Sequence, residues 1–437
     1  MSKKVSVIGG VLAGCEASWQ LAQRGVEVVL YEMKPSLFSP AHESEQLGEL
    51  VCSNSFRSNA VDSAVGLLKE EMRRLGSLIM TAADATMVPA GKALAVDRNM
   101  FSRHITESIH RHPAITVCRE EIVSLPDSSS QPVILATGPL TSASLSTRLL
   151  ELTGEKLSFY DAIAPIIDAE SLNWNRVYRK SRWDDEGPGD YLNCPFTEEE
   201  YHLFLTSLLE AEMVPLQSFE KEKYFEGCLP IEVMAGRGAD TLRYGPMKPV
   251  GLAHPETSEI PYAVVQLRAE NHEGSMYNMV GFQTKLKYGE QQRIFRMIPG
   301  LERAEFLRLG SIHRNTFICA PDLLDNFLQM KSVPGLFIAG QLSGVEGYVE
   351  SAAMGLLAGI NATGLAISGS MPTPPPSATA FGALLRHLTT SDGRYFQPSN
   401  VNFGLFPPVG KKMRKRERGA YRAKGALELL EKWQQTW

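Results

Sequence analysis

Short apolar runs separated by glycine-marked breaks shape the first third of the chain. Lys4-Val5-Ser6-Val7-Ile8 is apolar with one polar interruption and predicts a buried strand. It runs into Gly9-Gly10-Val11-Leu12-Ala13-Gly14, then into a helix-compatible stretch, Cys15 to Arg24, stopped by Gly25. Val26 to Tyr31 predicts a second strand, and Glu32 stands at its end. Strand, glycine turn, helix, strand and acid, in that order, make a dinucleotide-binding βαβ unit. The helix start offers free N–H groups and a positive dipole end to a pyrophosphate, and Glu32 suits a ribose hydroxyl. One position departs from the pattern. The fingerprint places glycine first, third and sixth, and the third residue here is Val11, whose β-branched side chain stands where the backbone would approach the pyrophosphate.

Further along, Ala64 to Met80 has helical spacing, and its charges (Lys69, Glu70, Glu71, Arg73, Arg74) predict a solvated face. Asp97 is placed to cap the next helix. Ala114 to Cys118 and Glu121 to Leu125 predict two short hairpin strands. Pro132 to Leu135 is an apolar strand ending in Ala136-Thr137-Gly138, the kind of strand that returns to a nucleotide sheet with small residues beside a cofactor. From about Tyr160 to Arg308 aromatics and charges increase and strand signals scatter (Ala263 to Leu267, Met279 to Phe282), which predicts an inserted α+β region. Leu336 to Gly340 is again a strand ending at glycine, and Gly344 to Ala353 leads into a helix rich in Ala and Gly. The expected fold is therefore α/β: a Rossmann-like nucleotide-binding domain (1–158 and 309–437) interrupted by an α+β domain (159–308).

Composition narrows the class. With 437 residues, 43% apolar and 21% charged, the chain reads as a soluble protein of two or three domains. Its net charge of -5 confines any nucleic-acid surface to a local patch. Such a patch is present: Lys411 to Lys424 holds eight basic residues against Glu417 alone, with Tyr421 among them. The six cysteines are scattered without a CxxC pair, which argues against a zinc site or disulfide scaffold and for a reducing, cytoplasmic setting. The longest apolar stretch, near Ala352 to Ile367, contains Gly355, Gly359 and Asn361 and reads as a buried helix, so no membrane partner is expected. On local sequence Cys52 reads first as a packed structural thiol and otherwise as part of a cofactor or substrate loop. Cys228 lies between Glu226 and Glu232 and upstream of Arg237, Arg243 and Lys248, cations of the kind that activate a thiol.

Six stretches occur in order: Leu50 to Ser55 (LVCSNS), Pro89 to Arg98 (PAGKALAVDR), Tyr191 to Pro195 (YLNCP), Gly245 to Gly251 (GPMKPVG), Val280 to Thr284 (VGFQT) and Gly347 to Ala353 (GYVESAA). Together they resemble the folate- and FAD-dependent tRNA (uracil-5-)-methyltransferases, the TrmFO family, over nearly the whole chain. The GidA-type wobble-uridine modifiers share the flavin domain and the final glycine–helix element. LVCSNS and GPMKPVG favour the first family. The resemblance implies FAD reduced by NAD(P)H, methylenetetrahydrofolate as one-carbon donor, and C5 of the T-loop uridine (position 54) of tRNA as acceptor, with no obligate protein partner. It implies cofactor contacts at Gly9, Gly10, Val11, Leu12, Ala13, Gly14, Glu32, Met33, Lys34, Ala136, Thr137, Gly138, Gly340, Gly347, Tyr348 and Ser351. It implies catalytic thiols at Cys52, beside the flavin, and Cys228, activating uracil. It makes Lys411, Lys412, Arg414, Lys415, Arg416 and Arg418 an RNA contact in the T-arm region. Ribosomal RNA as substrate, a GidA-like wobble activity and a flavin-deficient RNA-binding homologue stay open as alternatives.

Overall fold

The computed structural model describes residues 3–154, 157–162, 164–182, 189–214, 229–271, 273–310, 312–410 and 413–437. Strand β1 (Lys4–Ile8), helix α1 (Leu12–Gln23) and strand β2 (Glu27–Tyr31) form the expected βαβ unit. Their sheet has five parallel strands in the order Leu336–Ile338, Val133–Leu135, β1, β2, Ile115–Cys118. The strand that ends in Ala-Thr-Gly and the strand that ends at Gly340 thus lie side by side, next to β1, and all three carry their C-terminal ends to one edge. In an open parallel sheet that edge is where ligands bind.

The long helix Tyr348–Ser368 packs on α1. At Gly355 the approach is so close that a Cβ would lie 2.2 Å from the carbonyl oxygen of Ala13, so only glycine allows it. This helix is long and apolar enough to cross a membrane, and most of it is buried in the nucleotide-fold core.

The chain leaves this fold along Leu157–Ala162 and returns along Ile312–Phe317, the two strands of one antiparallel ribbon. Between them lies a six-stranded antiparallel sheet, in the order Tyr178–Arg179, Tyr191–Phe196, Ala263–Ala269, Met276–Met279, Ile166–Asp168, Phe306–Arg308. Two large apolar cores result: one from residues 5–149 and 317–433, the other from residues 167–304.

Several local expectations need correction. Ala64 to Met80 is two helices, Ala64–Arg74 and Leu78–Ala85, because the chain turns through Gly76 at φ +71° and Ser77 caps the second. Its charges are not a uniform solvated face. Lys69 and Glu71 are fully buried. The Lys69 ammonium donates to the carbonyls of Phe56 (3.0 Å) and Arg57 (3.2 Å), and the Glu71 carboxylate accepts the N–H groups of Ala380 (2.8 Å) and Phe381 (3.0 Å) at a helix start. Glu121 to Leu125 forms no strand: Ile115–Cys118 pairs in parallel with β2 and is the edge strand of the sheet, with no hairpin partner among the described residues. The strand read at Met279 to Phe282 lies earlier, at Met276–Met279, because the chain turns at Gly281.

Candidate functional site: a glycine turn and a cysteine loop at the sheet edge

At the end of β1 the turn is built by exclusion of side chains. Gly9 has φ +106°, and a Cβ there would meet the Ala136 carbonyl oxygen at 2.5 Å; one at Gly14 would meet the Gly9 oxygen at 1.8 Å. Gly9 N–H donates to Tyr31 O (2.8 Å), which ties the turn to β2. The Glu32 carboxylate is buried and accepts from Gly10 N–H (2.7 Å) and Lys34 N–H (3.0 Å). Each of its oxygens keeps a lone pair for a hydroxyl. Val11 is the N-cap of α1 and supplies no side-chain cap, so Leu12 and Ala13 open the helix with N–H groups at its positive end. Gly9, Val11, Glu32, Met33 and Thr137 line one cleft here, with His42 and Leu140. Ala136 is buried at the neighbouring strand end, and the Thr137 hydroxyl bonds to that of Thr141 (2.6 Å). Lys34 serves this region indirectly: its ammonium turns into the following loop and bonds Ser44 O (3.0 Å), Gln46 O (2.7 Å) and Glu49 (3.2 Å). Cys15, behind the turn, is buried, and burial pushes its thiol up, out of nucleophilic range.

The second half of the site is the loop around Cys52. Cys52 is partly exposed, and its N–H and that of Ser53 both donate to the Tyr348 phenolic oxygen, at 2.7 and 3.1 Å. Tyr348 is the first residue of its helix and Gly347 the N-cap, while Gly340 stands two residues past the strand Leu336–Ile338 and Ser351 sits almost buried one turn on. Burial, and then the nearby Cys52, push the Tyr348 phenol well above its ordinary range, so it stays protonated. A phenol that accepts two N–H groups has its own proton left to donate. In the same first turn Glu350 is fully buried. Its Oε1 takes the Arg57 guanidinium and the Val401 N–H (2.8 Å), and its Oε2 has no hydrogen-bond partner among the described residues. Arg57 itself is held at φ +62°, a costly conformation for a residue with a side chain.

From the other side the inserted sheet grips the same loop. Arg268 Nε donates to Asn54 Oδ1 (2.9 Å) and its Nη2 to Ser53 Oγ (2.8 Å), and Asn54 in turn donates to Val96 O and Ala269 O. Arg98 bonds Glu270 through Nη2 (3.0 Å) and Nε (3.1 Å) and gives Nη1 to Leu50 O. Sequence reasoning quoted Arg98 and Glu350 within motifs but gave them no role, and it missed Arg57, Arg268 and Glu270. The available signal was a charged residue interrupting an apolar strand, Arg268 in Ala263–Ala269.

The structure thus brings Gly9 to Gly14, Glu32, the Ala136–Gly138 strand end, Gly340, Gly347, Tyr348 and Ser351 to one sheet edge, with Cys52 held against Tyr348. Cys228, Lys411 and Lys412 lie outside the described residues. Arg414 caps the helix Lys415–Gln434, and Arg414 and Arg418 are exposed. Lys415 and Arg416 are on its first turn, and their side chains are outside the described set. The far half of this helix is docked, through Trp433 Nε1 to Thr373 O (2.6 Å) and Glu431 to Arg74 (2.5 Å). No group of His, Cys, Asp and Glu among the described residues has the arrangement of a metal site. The glycine cradle, the uncapped helix start and the Glu32 carboxylate fit the ADP half of FAD, with Val11 the exception.

Residues 4–369 match the family model described as "Glucose inhibited division protein A". Among curated proteins, the chain is 61% identical over 435 residues to "Methylenetetrahydrofolate--tRNA-(uracil-5-)-methyltransferase TrmFO" of Desulfotalea psychrophila, covering 99% of this chain and 98% of that protein. It is 58% identical over 436 residues to the protein of the same name from Geobacter sulfurreducens, covering 100% of both. Among solved structures, Aquifex aeolicus GidA superposes with a TM-score of 0.69 at 18% identity, over 99% of this chain and 77% of that one. That likeness speaks for the fold.

Proposed function

The chain belongs to the TrmFO family within the wider GidA family, and from that premise we propose that it methylates C5 of a uridine in tRNA, using methylenetetrahydrofolate as one-carbon donor, FAD as redox cofactor and NAD(P)H as reductant. The acceptor is the T-loop uridine at position 54, and the protein works in the cytoplasm without an obligate protein partner. The observation that carries this reading is the Tyr348 latch. It holds the cysteine of LVCSNS against the first residue of the GYVESAA helix, beside the nucleotide turn.

FAD, when bound, carries reducing equivalents from NAD(P)H to the one-carbon unit. The cradle that Gly9, Gly10 and Gly14 keep clear of side chains, with the first N–H groups of α1, would hold its pyrophosphate, Glu32 would hold its ribose, and the strand ends at Gly138 and Gly340 with the helix start at Gly347 would bound the rest. Cys52 would stand beside the redox-active end, to protect it or relay the one-carbon unit, and the protonated Tyr348 fixes the Cys52 backbone. Uracil C5 is a poor nucleophile. The Cys228 thiolate adds to C6 and so places electron density on C5, which attacks the methylene carbon as its bond to one folate nitrogen breaks; loss of the C5 proton with the second carbon–nitrogen bond releases tetrahydrofolate and leaves an exocyclic methylene on the base, to which a hydride from NAD(P)H, passed on through the flavin, would add as the thiolate departs from C6. The basic start of the C-terminal helix contacts RNA phosphates.

The test is unmodified tRNA transcript incubated with the protein, FAD, NADPH and methylenetetrahydrofolate, then nucleoside mass spectrometry. Appearance of 5-methyluridine at the T-loop position is expected, with Cys228→Ala abolishing it at unchanged flavin content. Modification only of the wobble uridine, or only of ribosomal RNA, would overturn the substrate assignment, and full activity of Cys228→Ala would overturn the role of that thiol.

A further inference from the structure

We propose that Val11 sets the flavin affinity of this protein, so that it holds FAD weakly and exchangeably through a pyrophosphate site narrowed by one side chain. The inference rests on the flavin reading above. The turn satisfies every other demand of a pyrophosphate cradle. Gly9 and Gly14 remove side chains where backbone segments meet, and the Gly10 N–H is spent on Glu32. The remaining donors are therefore those at the start of α1, reached past residue 11. A glycine at this point lets the phosphate approach the backbone directly. Val11 instead has extended backbone (φ −84°, ψ −176°) and donates no cap.

Its two methyl groups project across the cleft toward the Gly138 turn. A Cβ built on Gly138 would lie 3.4 Å from Val11 Cγ2 and 3.9 Å from Cγ1. The isopropyl group thus fills the gap between the β1 turn and the end of the neighbouring strand, in the cleft it shares with Glu32 and Thr137. The negative φ of Val11 is one that any residue adopts, so the turn itself is unstrained. The consequence falls on the ligand: a phosphate must sit farther from the helix N–H groups, where its charge-assisted hydrogen bonds are longer and weaker. The adenosine half keeps Glu32 and the isoalloxazine half keeps the Cys52–Tyr348 region, so binding is loosened without being lost.

The experiment compares full-length wild type, Val11→Ala and Val11→Gly as flavin-stripped proteins. Affinities for FAD, ADP and riboflavin are measured by fluorescence and equilibrium dialysis, with ligand-free thermal unfolding as a control for folding. The expected result is tightening of FAD by about tenfold or more in Val11→Gly, an intermediate gain in Val11→Ala, a parallel gain for ADP, and no change for riboflavin, which has no pyrophosphate. Equal FAD affinity in the three proteins would overturn the proposal, and so would an equal gain for riboflavin, which would place the effect elsewhere. Failure of all three proteins to bind FAD at any concentration would overturn the flavin reading itself, a distinct result. Val11→Ala keeps the test decisive if the added glycine loosens the turn.

Discussion

Arg98 and Glu270 form a buried ion pair whose breaking should be costly. Glu270 is 1% exposed and Arg98 15% at the side chain, and the pair joins the N-terminal end of the helix Arg98–Arg111 to the end of the strand Ala263–Ala269. Both nitrogens bond Glu270 Oε2, at 3.0 and 3.1 Å, while Oε1 has no hydrogen-bond partner among the described residues. Replacing Arg98 by Met would leave a buried carboxylate without its cation, a loss of about 3–5 kcal/mol. The carbonyl of Leu50 would lose its charged donor as well, adding about 1–2 kcal/mol. A total near 5 kcal/mol is a large share of the roughly 5–15 kcal/mol that holds a typical protein folded. The double variant Arg98→Met/Glu270→Met removes both charges and should cost clearly less than Arg98→Met alone, since no buried charge is stranded. Urea unfolding followed by tryptophan fluorescence reads the stabilities, and amide exchange at Cys52 and Ser53 reads the loop. Exchange there should quicken in Arg98→Met. If Arg98→Met costs under about 1 kcal/mol, or the double variant costs the sum of the two single changes, the pair is not a buried, mutually compensating one and the reasoning fails.

Tyr348→Phe removes the oxygen that accepts the Cys52 and Ser53 N–H groups; stability should fall by about 1–3 kcal/mol and methylation should slow, measured by unfolding and by nucleoside analysis, with FAD content read alongside. Burial pushes the Glu71 carboxyl from 4.5 up to about 8, so the folded chain keeps a proton that the unfolded chain has lost between those values, and this contribution to stability falls by about 5 kcal/mol as pH rises through that window. Burial lowers Lys69 to about 7, with Arg73 and Arg57 assisting, which makes stability climb again from pH 7 toward 10.5; Glu71→Gln should flatten only the acid-side fall, as read by melting temperature against pH. Replacing Lys411, Lys412, Arg414, Lys415, Arg416 and Arg418 by Ala should weaken tRNA binding and lower the slope of log affinity against log salt by about one for each phosphate no longer neutralised; an unchanged slope would show that the segment makes no phosphate contact.

What could be read in advance was whatever depends on near neighbours in sequence. The βαβ unit was legible because a strand, a glycine turn and a helix signal lie within thirty residues, and because β1, buried along all but its first residue, reads as an apolar run. Asp97 was legible as a cap, since a cap needs only the residues two or three ahead, and it makes those bonds to Asn99 and Met100 N–H. The burial of Lys69 and Glu71 was not legible. Their partners are the carbonyls of Phe56 and Arg57 and the helix start at Ala380, and nothing in a helical charge pattern shows that a distant backbone will turn to meet it. Glu121 to Leu125 failed for a related reason: the alternation read as a strand, but whether a segment turns back along the sheet is set beyond its own residues, and Ile115–Cys118 pairs only with β2 and stands as the edge strand.

The Cys52 loop carries this to its functional consequence. Its backbone N–H groups are held by Tyr348, its Leu50 carbonyl by Arg98, its Ser53 and Asn54 side chains by Arg268, and its Arg57 by Glu350. These partners come from two segments of the nucleotide fold some 250 residues apart and from the inserted sheet. No one of them marks the loop as a site in sequence, because each is an ordinary arginine, glutamate or tyrosine. Together they fix the backbone on either side of a partly exposed thiol before any ligand arrives. If Cys52 has the role proposed for it, a thiol held this way would lose little conformational entropy when substrate binds, which is how positioning lowers a barrier. The same arrangement makes the seam between the inserted sheet and the nucleotide fold part of the site: any shift of one against the other must move Arg268 or Arg98, and through them the backbone of Cys52.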